Sequence, residues 1–142
     1  MKGQIKTTNE MKRFVMAGNA IITIKNSETQ GRFTYRIRQS EGDGSVRFFV
    51  SVLTGPDNNN SYSYLGHIYR DDRYIHGRKS RIGQDALSEK AWSWFWIKLL
   101  NDNIPSQIEV WHEGRCGRCG RRLTVPESVE NGIGPVCAGM MH

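Results

Sequence analysis

All three cysteines of this 142-residue chain fall in its last quarter. Two lie in the run His112-Glu113-Gly114-Arg115-Cys116-Gly117-Arg118-Cys119-Gly120-Arg121, and the third ends Gly132-Ile133-Gly134-Pro135-Val136-Cys137. A Cys-x2-Cys turn aims two thiolates at one ion, and the glycine after the second cysteine eases the tight turn and frees amides to face the sulfurs. The spacing therefore predicts a metal site that obliges the tail to fold back on itself. An odd number of clustered cysteines fits a metal in reducing surroundings better than a disulfide framework.

The segment between the second and third cysteines has readable mechanics. Thr124-Val125-Pro126-Glu127 matches a capping box with proline near the first turn, predicting a short helical turn over 125–130 that ends at Asn131-Gly132. Gly134-Pro135 then bends the chain so that Cys137 returns to the knuckle. Zinc wants a fourth ligand. His112 gives His-x3-Cys-x2-Cys-x17-Cys, and His142 gives the same cysteines followed by x4-His. His112 is favoured because it leaves a strand, whereas His142 is the final residue and prone to fray; Glu113 is a remote third choice. Four protein ligands make one closed, structural Zn2+ site. Three ligands and a water would make a catalytic one, with only Glu113, Glu127 and Glu130 on offer as base. The expectation is a zinc ribbon over 112–142 and no enzyme.

The body, 1–111, reads as α+β. A short helix is expected over 9–17, with Asn9 as cap, Met11, Phe14 and Val15 on one side, and Gly18 as stop. The period then changes to that of strands. Residues 20–24 are β-branched, and Phe33, Tyr35 and Ile37 alternate with polar neighbours, giving a hairpin. Turns at Glu41-Gly42-Asp43-Gly44 and at 55–60 lead into strands over 46–53 and 62–69. Residues 86–100 place Trp92, Phe95, Trp96 and Leu99 on one helical stripe, with Asp85 or Ser88 as cap. Residues 108–111 form one more strand. The expected architecture is an antiparallel meander of about four or five strands packed on that long aromatic helix, with the ribbon at the C-terminal end.

A net charge of +6 makes nucleic acid or an acidic protein surface a natural partner. No apolar stretch approaches the roughly 20 residues of a membrane span, and the first residues lack a signal peptide's apolar core, so a cytoplasmic protein without a membrane partner is expected. No P-loop, nucleophile elbow or paired-carboxylate motif is present, which argues against a small-molecule substrate. Arg115, Arg118, Arg121 and Arg122 crowd the knuckle and are candidates for phosphates or an acidic partner. A second basic run, Arg70, Arg73, Arg78, Lys79 and Arg81, is mixed with Tyr69, Tyr74 and His76 ahead of the long helix, though Asp71-Asp72 dilutes it. Arg73 and Arg78 are its candidate contacts. His67 and His76 read as packed or surface histidines with no acidic or cysteine partner. Trp94 lies off the apolar stripe and is a candidate surface residue.

The stretch from His112 to Cys137, with Cys116-Gly-Arg-Cys119-Gly-Arg-Arg and Gly132-Ile-Gly134-Pro135-Val-Cys137, resembles the zinc-ribbon ending of small phage and prophage proteins of unassigned function. The resemblance covers about the last 30 residues strongly. Ala17-Gly18-Asn19-Ala20, Tyr64-Leu65-Gly66 and the aromatic helix look like the body usually attached to it. It implies a mobile-element origin, with the histidine before the first cysteine as the natural fourth ligand. Proteins of such elements commonly block host defence. The reading this implies is a non-enzymatic protein, working in the host cytoplasm, that docks on a host protein; its most concrete form is an anti-CRISPR inhibitor that keeps target DNA from loading onto an RNA-guided Cas nuclease. The alternative is a nucleic-acid-binding accessory protein using the ribbon arginines and the basic loop.

Overall fold

The computed structural model describes residues 3–42, 45–56, 60–123, 132–134 and 137–138, with the side chains of 41 and 42 excepted. The chain runs β1 (Gly3–Ile5), α1 (Thr8–Val15), β2 (Asn19–Asn26), β3 (Arg32–Gly42), β4 (Ser45–Leu53), β5 (Tyr62–Tyr69), β6 (Tyr74–His76), α2 (Leu87–Leu100) and β7 (Ile108–His112). One antiparallel sheet of seven strands results, in the order β1-β7-β2-β3-β4-β5-β6. The meander β2 to β5 and the closing strand follow the expected pattern; the strand count exceeds it. The additional strands, β1 and β6, have three residues each, too few to show an alternation. They join by pairing with longer neighbours, Ile5 with Val110 and His76 with Gly66.

The helix starts are corrected by one or two positions. Thr7, rather than Asn9, caps α1: its hydroxyl oxygen accepts from the Glu10 amide at 3.2 Å and donates to the Glu10 carboxylate at 2.8 Å. The threonine oxygen satisfies one otherwise orphaned amide of the first turn, and the glutamate holds the hydroxyl in place. Neither Asp85 nor Ser88 caps α2, whose N-cap is Ala86 without a side-chain bond. Among the described residues, no helix is long and apolar enough to cross a membrane.

Period-two alternation sends Ala20, Ile22, Tyr35, Ile37, Val50 and Val52 to one face of the sheet, where they are buried with Phe14, Trp92, Phe95 and Leu99. Each fully buried aliphatic or phenylalanine side chain contributes about 1.5–3 kcal/mol, so this face dominates stability. The Tyr35 ring lies 5.1 Å from Trp92 and its hydroxyl donates to the Ser88 carbonyl at 2.8 Å, fixing α2 on the sheet. Phe14 puts α1 on the same face, 5.9 Å from the His112 ring. Both helices thus pack on one side.

Burial of Glu89 within α2 is explained by its partners. The Tyr74 hydroxyl and the Ser93 hydroxyl each donate to it at 2.7 Å, and His76 Nδ1 contacts it closely. This corrects the reading of His76 as lacking an acidic partner: the two residues are 13 positions apart and meet only because β6 lies under α2.

Between Val50 and Ser51 the pairing with β5 shifts, so Val50 faces Gly66 while Ser51 faces Tyr64. Such a bulge puts two residues opposite one and re-aims the side chains beyond it. Tyr64 and His67 consequently share the face away from the helices, where Tyr64 Oη and His67 Nδ1 are 2.8 Å apart. Gly66 is required there, since a Cβ would fall 2.3 Å from the Ile75 carbonyl oxygen.

Candidate metal centre and its basic surroundings

The strand β7 ends in His112, and Gly114, at φ +81°, turns the chain into the knuckle. The Cys116 amide donates to the Arg121 carbonyl at 2.8 Å, the Gly120 amide to the Cys116 carbonyl at 2.9 Å, and the Leu123 amide to the Gly114 carbonyl at 2.8 Å. Gly120, at φ +79°, supplies the left-handed turn that the sequence pattern assigns to it. These bonds close a short hairpin carrying Cys116 and Cys119, and Cys137 returns to it. The three sulfur atoms all lie within 4.8 Å of one another. Zn–S bonds of about 2.3 Å in a tetrahedron set sulfurs roughly 3.8 Å apart, so the cluster has the dimensions and the donor chemistry for a thiolate-held metal ion.

The surroundings favour thiolate at Cys116 and the thiol at Cys137. Burial pushes the Cys116 thiol up, but hydrogen bonds from the amides around it outweigh this and bring it to about 7; the Arg118 amide donates to its sulfur at 3.4 Å. Burial also raises Cys137, opposed by the Arg118 guanidinium, which donates to that sulfur at 3.7 Å. Amide and guanidinium donors to sulfur orient ligands and stabilise their charge.

The knuckle rests on the body. The Asn19 amide donates to the Gly117 carbonyl at 2.7 Å and the Gly117 amide to the Gly132 carbonyl at 2.9 Å. Phe14 lies against both glycines. Cys116, Leu123, Ile133 and Cys137 belong to the same buried cluster as the sheet.

Of the four expected ligands, the structure gathers the three cysteines. His112 is fully buried behind them, with Nδ1 accepting from the Gly114 amide at 2.9 Å. In a neutral ring that bond leaves the proton on Nε2, so metal binding through either nitrogen requires the contact with Gly114 to change. His142, Glu127, Glu130 and the expected turn over 125–130 lie outside the described residues. Glu113 accepts from the Thr23 hydroxyl at 3.3 Å.

Arg115, Arg121 and Arg122 are exposed around the knuckle, whereas Arg118 is half-buried against Cys137. Arg73 and Arg78 are also exposed, but Arg73 follows β5, and β3 and β4 separate β5 from β2. The two basic groups are therefore not one patch through direct contact. Sequence reasoning missed a third group. Arg36, Arg38 and Arg47 occupy the outward positions of β3 and β4, and Arg38 joins Arg115, Glu113, Asn19, Ile21 and Gly120 around a cavity of about 250 Å³. The signal was in the alternation: Arg36 stands between Tyr35 and Ile37, Arg38 follows Ile37, and Arg47 stands between Val46 and Phe48.

Neither a curated protein nor a solved structure matches the chain. Residues 111–142, the segment that holds the three thiols, match DUF6011, described as a family of unknown function.

Proposed function

We propose that this protein is a non-catalytic nucleic-acid-binding protein whose C-terminal ribbon, held by one zinc ion on Cys116, Cys119 and Cys137, presents arginines to phosphates. The observation that supports it is the setting of Arg115, Arg121 and Arg122. All three are exposed on a small thiol-held hairpin, and none is ion-paired among the described residues. Guanidiniums so placed suit phosphate oxygens, and a +6 chain attracts a polyanion at long range. Zinc in this reading supplies folding free energy and no chemistry. The fourth ligand is a histidine: His112 after releasing the Gly114 amide, or His142 if the tail turns back. Metal content of His112→Ala and His142→Ala separates them.

The test is the triple substitution Arg115→Ala/Arg121→Ala/Arg122→Ala. It should weaken binding to a labelled oligonucleotide roughly tenfold or more and flatten the salt dependence, since each lost phosphate contact lowers the slope by about one. Unchanged affinity and slope would contradict the ribbon's role.

A second reading, a protein partner, is favoured by the outer side of α2, where Leu87, Trp94, Ile97 and Leu100 are 40–75% exposed. Blockade of a host defence nuclease would use this surface, and substitution of Trp94 and Ile97 by serine would abolish capture of that nuclease.

A further inference from the structure

We infer that the helix-free face of the sheet is a stacking platform for single-stranded nucleic acid, with Phe49 and Tyr64 as base-stacking rings and Arg36, Arg38 and Arg47 as phosphate contacts. The inference rests on the nucleic-acid reading above and names its substrate class and a second surface.

Register alone assembles the platform. Arg38 pairs with Phe49, Phe49 with His67, Ser51 with Tyr64, and Arg47 with Tyr69, and all of these project away from the helices. The bulge at Val50/Ser51 is what lets Tyr64 and His67 share that side. The rings then lock one another. Phe49 meets Tyr64 edge-on at 5.9 Å and His67 edge-on at 6.1 Å, and His67 meets Tyr69 edge-on at 4.8 Å. Both His67 nitrogens are held by tyrosine hydroxyls, Tyr64 at 2.8 Å and Tyr69 at 2.9 Å. A half-buried tile of fixed rings loses little entropy when a base settles on it.

Charge selects the occupant. Arg36 lies over the Tyr62 ring at 4.4 Å, and Arg47 and Arg73 lie over Tyr69 at 5.6 and 4.8 Å. Among the described residues of β3, β4 and β5, no acidic side chain stands on this face; Glu113, at the end of β7, reaches its margin, where it lines the cavity with Arg38 and acts on Tyr62. Burial disfavours the charge on Arg36, and Arg38 repels it. The ring contacts of Arg36 and Arg47 offset part of the cost of gathering like charges on an outward face, where an uncharged polar residue would also satisfy the alternation. Guanidiniums beside flat rings fit a chain that alternates phosphates and bases. A duplex hides its base faces, so it would use the arginines and leave the rings idle.

The platform also connects to the ribbon. Arg38 on β3 and Arg115 on the knuckle line one cavity of about 250 Å³. A strand crossing the rings therefore reaches the knuckle arginines through this cavity, where Arg38 and Arg115 flank Glu113.

The test uses the full chain with zinc and fluorescence anisotropy. The probes are labelled oligothymidylate and oligouridylate of about 15 nucleotides and a duplex of the same length. Tyr64→Ala and Phe49→Ala should each weaken single-strand binding roughly tenfold and leave duplex binding unchanged, because stacking contributes only where bases are exposed. Should either fail to fold, Arg38→Glu, at an exposed position, tests the platform's phosphate contacts and should weaken single-strand and duplex binding alike. A preference between the two homopolymers would tell whether RNA or DNA is the strand recognised. If these variants bind single strands like the wild type while the triple ribbon variant is weakened, the platform is refuted and the function stands. If they weaken binding and the ribbon variant does not, the platform stands and the ribbon's role falls. If no oligonucleotide binds at about 50 mM salt, both fall.

Discussion

A Cβ on Gly132 would fall 2.5 Å from Cδ1 of Phe14: the ring of α1 fills the space that a side chain on the ribbon would need. Helix and ribbon are therefore fitted to each other through one residue from each. Gly132 also sits at φ +79°, where any other residue is strained. Gly132→Ala should cost about 1–3 kcal/mol. In a Phe14→Ala background its cost should shrink, because contacting residues couple in a double-mutant cycle. Denaturant unfolding of the four proteins measures this; additive losses would show that strain at φ, rather than Phe14, sets the penalty.

Glu89 organises the buried polar cluster beneath α2. Glu89→Ala strands the hydroxyls of Tyr74 and Ser93 and frees His76, at an expected cost of roughly 3 kcal/mol, since each buried group left unpaired costs about 1–3 kcal/mol. Glu89→Gln keeps one acceptor and should lose less. Urea midpoints in that order support the cluster as structure; equal midpoints for wild type and alanine variant would refute it.

Two buried tryptophans should respond differently to the same change. Trp96 Nε1 donates to the Asp72 carbonyl at 2.7 Å, whereas Trp92 Nε1 is buried without a partner among the described residues. Both Trp→Phe substitutions shrink the core, but only Trp96→Phe also removes a hydrogen bond, worth about 1 kcal/mol. Trp96→Phe should melt at the lower temperature.

Thiol substitutions test the metal. Cys116→Ser and Cys137→Ser should each abolish stoichiometric zinc and unfold the ribbon, because structural zinc affinity is folding free energy on the order of 10 kcal/mol. Native mass spectrometry reads the metal directly. Retention of one zinc per chain in either variant would refute the ligand set.

How much of this was legible in the sequence follows from what each signal depends on. The meander and the aromatic helix were readable because Tyr35, Ile37, Val50, Trp92 and Trp96 follow their periods over many residues. The thiol cluster was readable because its spacing is local. The three-residue strands were not, since Gly3–Ile5 and Tyr74–His76 owe their pairing to β7 and β5. Glu89 with His76 is likewise a tertiary fact. The cationic aromatic face hid in plain alternation: Arg36, Arg38 and Arg47 each look like an ordinary outward residue until the fold places them beside Tyr62, Phe49 and Tyr69.

Binding of the zinc-loaded full chain to labelled oligothymidylate, titrated across about 50 to 200 mM salt, tests the central claim most directly. The account predicts saturable binding whose logarithm falls linearly with the logarithm of salt, by several-fold to a thousandfold over that range. Absence of binding at the lowest salt, or an affinity indifferent to salt, would contradict it.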